Sequence, residues 1–273
     1  MSGDLSLENF LNAIEERMRR ELRLRCESFN PDFEKPQVFN VLTALLARQT
    51  TLALELSSAP QLWNFHSAPL FLRAMADVHI TLAWILQDPA ARAQQYIEHG
   101  LGQAALDLEH RKKKMDFDDE PHKAELKTYI DGLQSWIDMQ RLNFLVKVNV
   151  GAWSGKTTRE MAEQSDLLDF YNYVYTPFSQ CAHSTWYHIA RFNSGLSESP
   201  YTRLLWVPQI AESETDPSNL ILAAKYLDKS FNAFDKKALG QPATSDIQTW
   251  IHETLTKNAE DSDGDEVRDT VQS

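Results

Sequence analysis

Glycine is scarce in this chain, 9 of 273 residues, and proline stands at 11. A β-rich fold needs turn residues every few positions, so this scarcity, with almost no period-two alternation, excludes one. Cysteine is scarcer still. Cys26 and Cys181 lie far apart and form no CxxC or metal-ligand spacing, which excludes a disulfide scaffold and fits two reduced thiols in a cytoplasmic protein. Apolar runs stay well short of the roughly 18 residues that a membrane span takes. The start, MSGDLSLENF, carries an early acid and no continuous apolar stretch, unlike a signal peptide. No membrane partner is expected. Positive charge is also in deficit, with 27 Lys and Arg against 39 Asp and Glu and a formal charge of −12. That balance argues against a surface that wraps nucleic acid, while leaving room for a small positive cleft.

What remains reads with helical period, and 42% apolar content is enough for a real core. The expected fold is all-α, a multi-helix bundle with long antiparallel helices. Helices are predicted over about 5–28, with Leu7, Phe10, Leu11, Ile14, Met18 and Leu22 on one face, then 37–56, 69–86, 90–113, 121–143 and 166–192. Pro31, Pro36 and the Asp88-Pro89 pair mark breaks between them. After Ser194-Gly195 the chain loosens, and two further helices follow around 218–234 and 246–257. The division expected is a bundle domain over 1–235, a small helical extension over 236–258 and a disordered acidic tail over 259–273, whose NAEDSDGDEVRDTVQS has almost no apolar anchor. The basic run Arg111 to Lys114 before MDFDDE reads as a solvated helix end and loop.

Several motifs invite chemistry. Gly151-Ala-Trp-Ser-Gly155-Lys156-Thr157 resembles a phosphate loop but has three residues between its glycines where four are needed, and no flanking strands. Thr157 and Glu160 instead form a capping box for the helix TREMAEQ. Metal is not expected despite 8 histidines, because neither paired Glu-x-x-His nor His-Glu-x-x-His occurs and Asp77 and His79 are out of helical phase. No cofactor is implied. Ser179 and His183 lie one turn apart, but a hydrolase also needs an oxyanion hole and a strained elbow, and Phe178-Ser179-Gln180 is ordinary helix. Arg73 to His79, with five residues between, fits the arginine-histidine pattern of metal-independent helical ribonucleases of the HEPN type. Arg92 to His99, with six, fits as well, so chance supplies the pattern cheaply.

The polar side chains inside apolar helices are the most informative feature. Arg73 and Asp77 are i and i+4 in FLRAMADVHITLAWIL; Tyr175, Ser179 and His183 are i, i+4 and i+8 in YNYVYTPFSQCAHSTWYHIARF. Each set makes one stripe, and buried polar groups must be paired, so the two stripes are expected to meet across a helix interface. The candidate catalytic residues are therefore Arg73, Asp77, His79, Ser179 and His183. Arg48, on a second helix that is apolar nearly all round and also carries Glu55, and Tyr175 are candidate ligand-binding residues.

R-A-M-A-D followed by L-A-W-I-L, then W-S-G-x-T-x-R-E-M-A, then Y-x-x-x-Y-x-x-x-S-x-x-x-H resembles the helical bacterial family catalogued as domain of unknown function 5677, over about Phe39 to Phe192. The matching positions are Arg73, Asp77 (aspartate where the family has glutamate), Trp153, Gly155, Tyr175, Ser179 and His183. The resemblance implies an all-helical fold and a shared polar cluster, with no assigned activity. Two functions fit: a non-catalytic interaction or sensor protein, as part of a phage-defence system, in which the cluster is a satisfied network, and a ribonuclease-like effector using Arg73 with His79 or His183. The partners expected are a protein or a second copy, with RNA possible under the second reading.

Overall fold

The computed structural model describes residues 6–115, 120–144, 154–203, 205–210, 212 and 214–256. Trp153, most of the acidic junction after Lys114 and the tail from residue 259 lie outside the described residues. The expected all-α architecture is what the chain adopts. Helix α1 (Leu7–Ser28) starts where the Ser6 hydroxyl accepts the Asn9 N–H, 3.3 Å away. Helix α2 (Pro36–Ser57) starts on a proline, whose missing N–H is harmless in a first turn. There follow α3 (Ala68–Ile85), α4 (Pro89–Met115), α5 (Glu120–Phe144), α6 (Thr158–Gln164), α7 (Leu168–Phe170), α8 (Thr176–Ala182), α9 (Trp186–Phe192), α10 (Ser218–Phe234) and α11 (247–256). Between α9 and α10 two short strands, β1 (Ser194–Leu196) and β2 (Trp206–Pro208), pair antiparallel with Gly195 opposite Val207.

Helices α2, α3 and α10 pack pairwise and form the centre, with α1 against α2 and an α4–α5 pair on the other flank of α2. Helix α3 supplies Leu72, Met75, Ile80 and Leu82, all fully buried, and each such side chain contributes roughly 2 kcal/mol of burial. Among the described residues it is the one helix long and apolar enough to cross a membrane, and 56% of it is buried inside the fold, as a core helix would be. Residues 236–256 belong to the same core: Ile247 and Ile251 are fully buried and the Trp250 ring stacks on Phe10. Two buried acids fasten this end. Asp228 accepts from Ser245 Oγ and from the amides of Ile247 and Gln248, and Asp235 takes Arg25 Nη2 at 2.7 Å.

The single helix expected over 166–192 is divided. Tyr171–Tyr175 form a π-helical turn between α7 and α8, and the Thr176 N–H reaches back five residues to the Tyr171 carbonyl. Pro177 is the cause, because a proline in a continuing α-helix removes one bond and crowds the preceding turn, and a widened turn accommodates both. A second break follows His183, where Ser184 takes a left-handed φ of 47° and Thr185 opens α9.

Polar groups inside the centre are joined. The Ser230 hydroxyl donates to the Tyr226 carbonyl at 3.0 Å, so its oxygen accepts from Gln49 Nε2 and from the His79 ring, each at 3.1 Å. That arrangement puts the proton of the neutral imidazole on Nδ1. Burial pushes the His79 pKa down to about 3, with Lys229 adding repulsion. A histidine depressed in the folded state is protonated first in the unfolded chain, so the native state loses stability as pH falls below about 6.5. Between pH 7 and pH 5 the loss from His79 alone should be about 2 kcal/mol. Urea denaturation at both pH values checks this: His79→Asn should remove most of the difference, and an unchanged difference would show that His79 is not its source.

Candidate functional site

Arg73 projects from the side of α3 that meets α6, the π turn and α8. Its side chain is 12% exposed, so its charge must be matched locally. Each of its three nitrogens is. Nε donates to Ser179 Oγ at 2.6 Å, Nη1 to Asp77 Oδ2 and Nη2 to the Tyr175 hydroxyl, while the guanidinium carbon lies 3.4 Å from the centre of the Tyr175 ring. The i, i+4 spacings expected from the sequence bring these groups together: Asp77 one turn along α3, Tyr175 and Ser179 one turn apart on the facing segment.

The partners are themselves held. The Ser179 hydroxyl donates to the Tyr175 carbonyl at 2.9 Å, and the Tyr175 ring stacks on Tyr171 with centroids 4.7 Å apart. Tyr175 also reaches Thr158 Oγ1, 3.4 Å away, at the first turn of α6. That turn is fixed by the capping box expected from the sequence: Thr157 Oγ1 accepts the Glu160 N–H at 3.2 Å, and Glu160 accepts the Thr157 N–H at 2.7 Å. Gly155, just before it, has a φ of 62°, a conformation that glycine adopts without strain. The turn motif therefore serves the cluster from behind, and its threonines and glycine shape the backbone.

Asp77 is the open edge, with its side chain 45% exposed. Partial burial raises its pKa, and Arg73, Tyr175 and the charge of His183 pull it back down. Burial likewise raises the Tyr175 phenol. His183 caps the end of α8 and is exposed; it acts on Asp77 through charge. The His183 N–H still bonds to the Ser179 carbonyl at 3.0 Å, so the helical spacing runs on to this residue at the end of α8.

Two candidates lie elsewhere. His79 is six residues beyond Arg73, a rotation of roughly 240° around the helix, which turns it from α8 toward α10. There it is 3% exposed, bonded to Ser230 and edge-on to Phe170 at 5.1 Å. It lines a cleft that Lys229, Lys236 and Lys237 also line, so a single phosphate cannot be shared between Arg73 and this ring. Arg48 lines a separate cavity with α4 and α5. Arg92, of the second arginine-histidine pair, donates to the Trp84 carbonyl at 2.5 Å and stacks on that indole, 4.0 Å from its centre. Among the described residues no group of three or more His, Cys, Asp and Glu is placed to hold a metal, and Cys26 and Cys181 are both free. The residues that sequence reasoning missed are Thr158, whose hydroxyl closes the cluster, and Tyr171, whose ring backs Tyr175; the Y-x-x-x-Y spacing was the available signal for the latter.

Against known proteins, the family described as "Family of unknown function (DUF5677)" matches residues 39–200, a span that contains Arg73, Asp77, Thr158, Tyr175 and Ser179. No curated protein and no solved structure matches.

The geometry makes Arg73 a three-point tie. Arg73→Ala should cost about 1–3 kcal/mol in urea denaturation, below the cost of breaking a fully buried ion pair because water reaches Asp77 once the guanidinium is gone. Arg73→Lys should recover little of it, since a single ammonium cannot serve Ser179, Asp77 and Tyr175 at once. Full recovery by lysine would show that charge alone matters there.

Proposed function

The chain belongs to this family of unknown function, and we propose that it works as a non-catalytic helical interaction module whose partner is another protein. The observation that carries the reading is the engagement of Arg73. A guanidinium that stabilises a phosphorane presents its N–H groups to the ligand, and here each of the three nitrogens already gives one of them to the protein's own side chains. Ser179, with its hydroxyl proton on a backbone carbonyl, offers no nucleophile, and the only buried histidine of the arginine-histidine pair faces away.

The cluster fastens the α6–α9 arm to the bundle, and the far part of that arm and the hairpin carry aromatic surface. Trp186 is 66% exposed, Tyr187 61% and Tyr201 97%, with Trp186 packed edge-on to Trp206 and Arg191 bonded to the Tyr187 hydroxyl. Tryptophan, tyrosine and arginine held on a rigid support are the composition that protein interfaces favour. A role in phage defence would be one setting for such a module.

Site-specific photocrosslinking in living cells tests this. A crosslinking residue in place of Tyr201 should yield a discrete protein adduct, and one in place of Phe33, an exposed aromatic at 88% between α1 and α2, should not. The wild-type protein should leave single-stranded RNA uncut, and Arg73→Ala should not change that. RNA cleavage that disappears in Arg73→Ala without a loss of stability would replace this reading with the ribonuclease one.

A further inference from the structure

A cavity of about 510 Å³ opens between α2, α3, α4 and α5, within the range of small-molecule sites. Most of its wall is apolar, with Val41, Leu45, Val78, Ile97, Leu101 and the Trp136 ring. Two features of this wall are not explained by folding. The first is Arg48, which is exposed on the cavity side of α2; among the described residues no carboxylate stands within ion-pair distance of it, and unlike Arg23, Arg159 and Arg191, which share that property, it lines an apolar cavity. An unmatched guanidinium at the mouth of an apolar cavity is an anion receptor by its chemistry.

The second is Gly100. It sits well inside α4, where glycine weakens a helix, yet it has no positive φ, and a Cβ added to it would meet nothing within 4 Å. Neither backbone conformation nor crowding calls for glycine. Its effect is to keep a side chain out of the cavity. Alanine or leucine there would strengthen the helix and take up the space.

We propose that this cavity binds an organic monoanion with an apolar chain, its carboxylate on the Arg48 guanidinium and its chain between Val78, Ile97 and Trp136. One guanidinium matches one negative charge in a bidentate pair, which favours a carboxylate over a doubly charged phosphate. Asn40 and Gln140 also line the cavity. The site is distinct from the Arg73 cluster and from the aromatic face of the hairpin, and stands whether or not those bind a protein.

Calorimetric titration of the full chain with decanoate and with decanol, as charged and uncharged probes of one chain length, provides the test. Decanoate should bind saturably, one per chain, at least ten-fold more tightly than decanol. Arg48→Gln should bring decanoate down to the decanol level without changing decanol, and Gly100→Leu should weaken both at least ten-fold with the helical circular dichroism unchanged. Arg19→Gln, on the outer face of α1, should change nothing. Absence of saturable decanoate binding, or equal decanoate affinity in wild type and Arg48→Gln, overturns the proposal; if Gly100→Leu does not fold, the Arg48→Gln comparison alone decides.

Discussion

The arm formed by α6 to α9 is tied to the bundle by one desolvated guanidinium, beside the buried contacts of Met161, Ala162 and Phe170. A lone arginine at the Arg73 position would be expelled toward water, because a charge with 12% of its side chain exposed loses most of its hydration. It stays because three acceptors from three directions replace that hydration: a carboxylate from its own helix, a phenol from the π turn and a hydroxyl from α8. Charge-assisted bonds of this kind are roughly twice as strong as neutral ones, and their geometry fixes the register of the facing helix as well as its contact. The π turn becomes intelligible in this light. Pro177 forces a widened turn, and that turn ends on Tyr175, the residue whose ring and hydroxyl meet the guanidinium.

The matched family span, residues 39–200, holds every member of the cluster but stops short of α10, which the core requires. Leu220, Leu227, Phe231 and Phe234 of α10 are buried against α2 and α3, and His79 and Gln49 meet Ser230 there. Helix α3 thus has two polar faces with different duties. Toward α8 it carries a charged tie with one open edge at Asp77; toward α10 it carries a neutral network whose histidine burial keeps unprotonated. Placement about 120° apart on one helix keeps the charge of Arg73 away from His79.

Much of this was legible in the sequence, for reasons that can be named. Helical periodicity placed α1 to α5 within a few residues, since their apolar stripes are long and Pro36 and Pro89 stand at their starts. The capping box was readable because Thr157 and Glu160 are local in sequence. The pairing of Arg73 with Asp77, and of Tyr175 with Ser179, followed from the i, i+4 rule, which needs only a helix. What escaped was whatever depends on where a helix stops or which side it turns. Ser184 breaks the 166–192 helix with a left-handed residue that is not glycine, so no punctuation announced it. Residues 194–208 form a hairpin through three-residue strands, too short to show alternation. His79 was read by its distance from Arg73 along the chain, while its six-residue phase already turned it toward another partner.

A double-mutant cycle between Arg73→Met and Tyr175→Phe measures the central tie directly, since it isolates the coupling from the separate costs of each truncation. Denaturation of the wild type, the two single variants and the double variant should give a coupling of about 1 kcal/mol or more, with Tyr175→Phe nearly silent once Arg73 is gone. Strict additivity, with Tyr175→Phe costing the same in both backgrounds, would contradict the claim that the guanidinium holds the arm through this tyrosine.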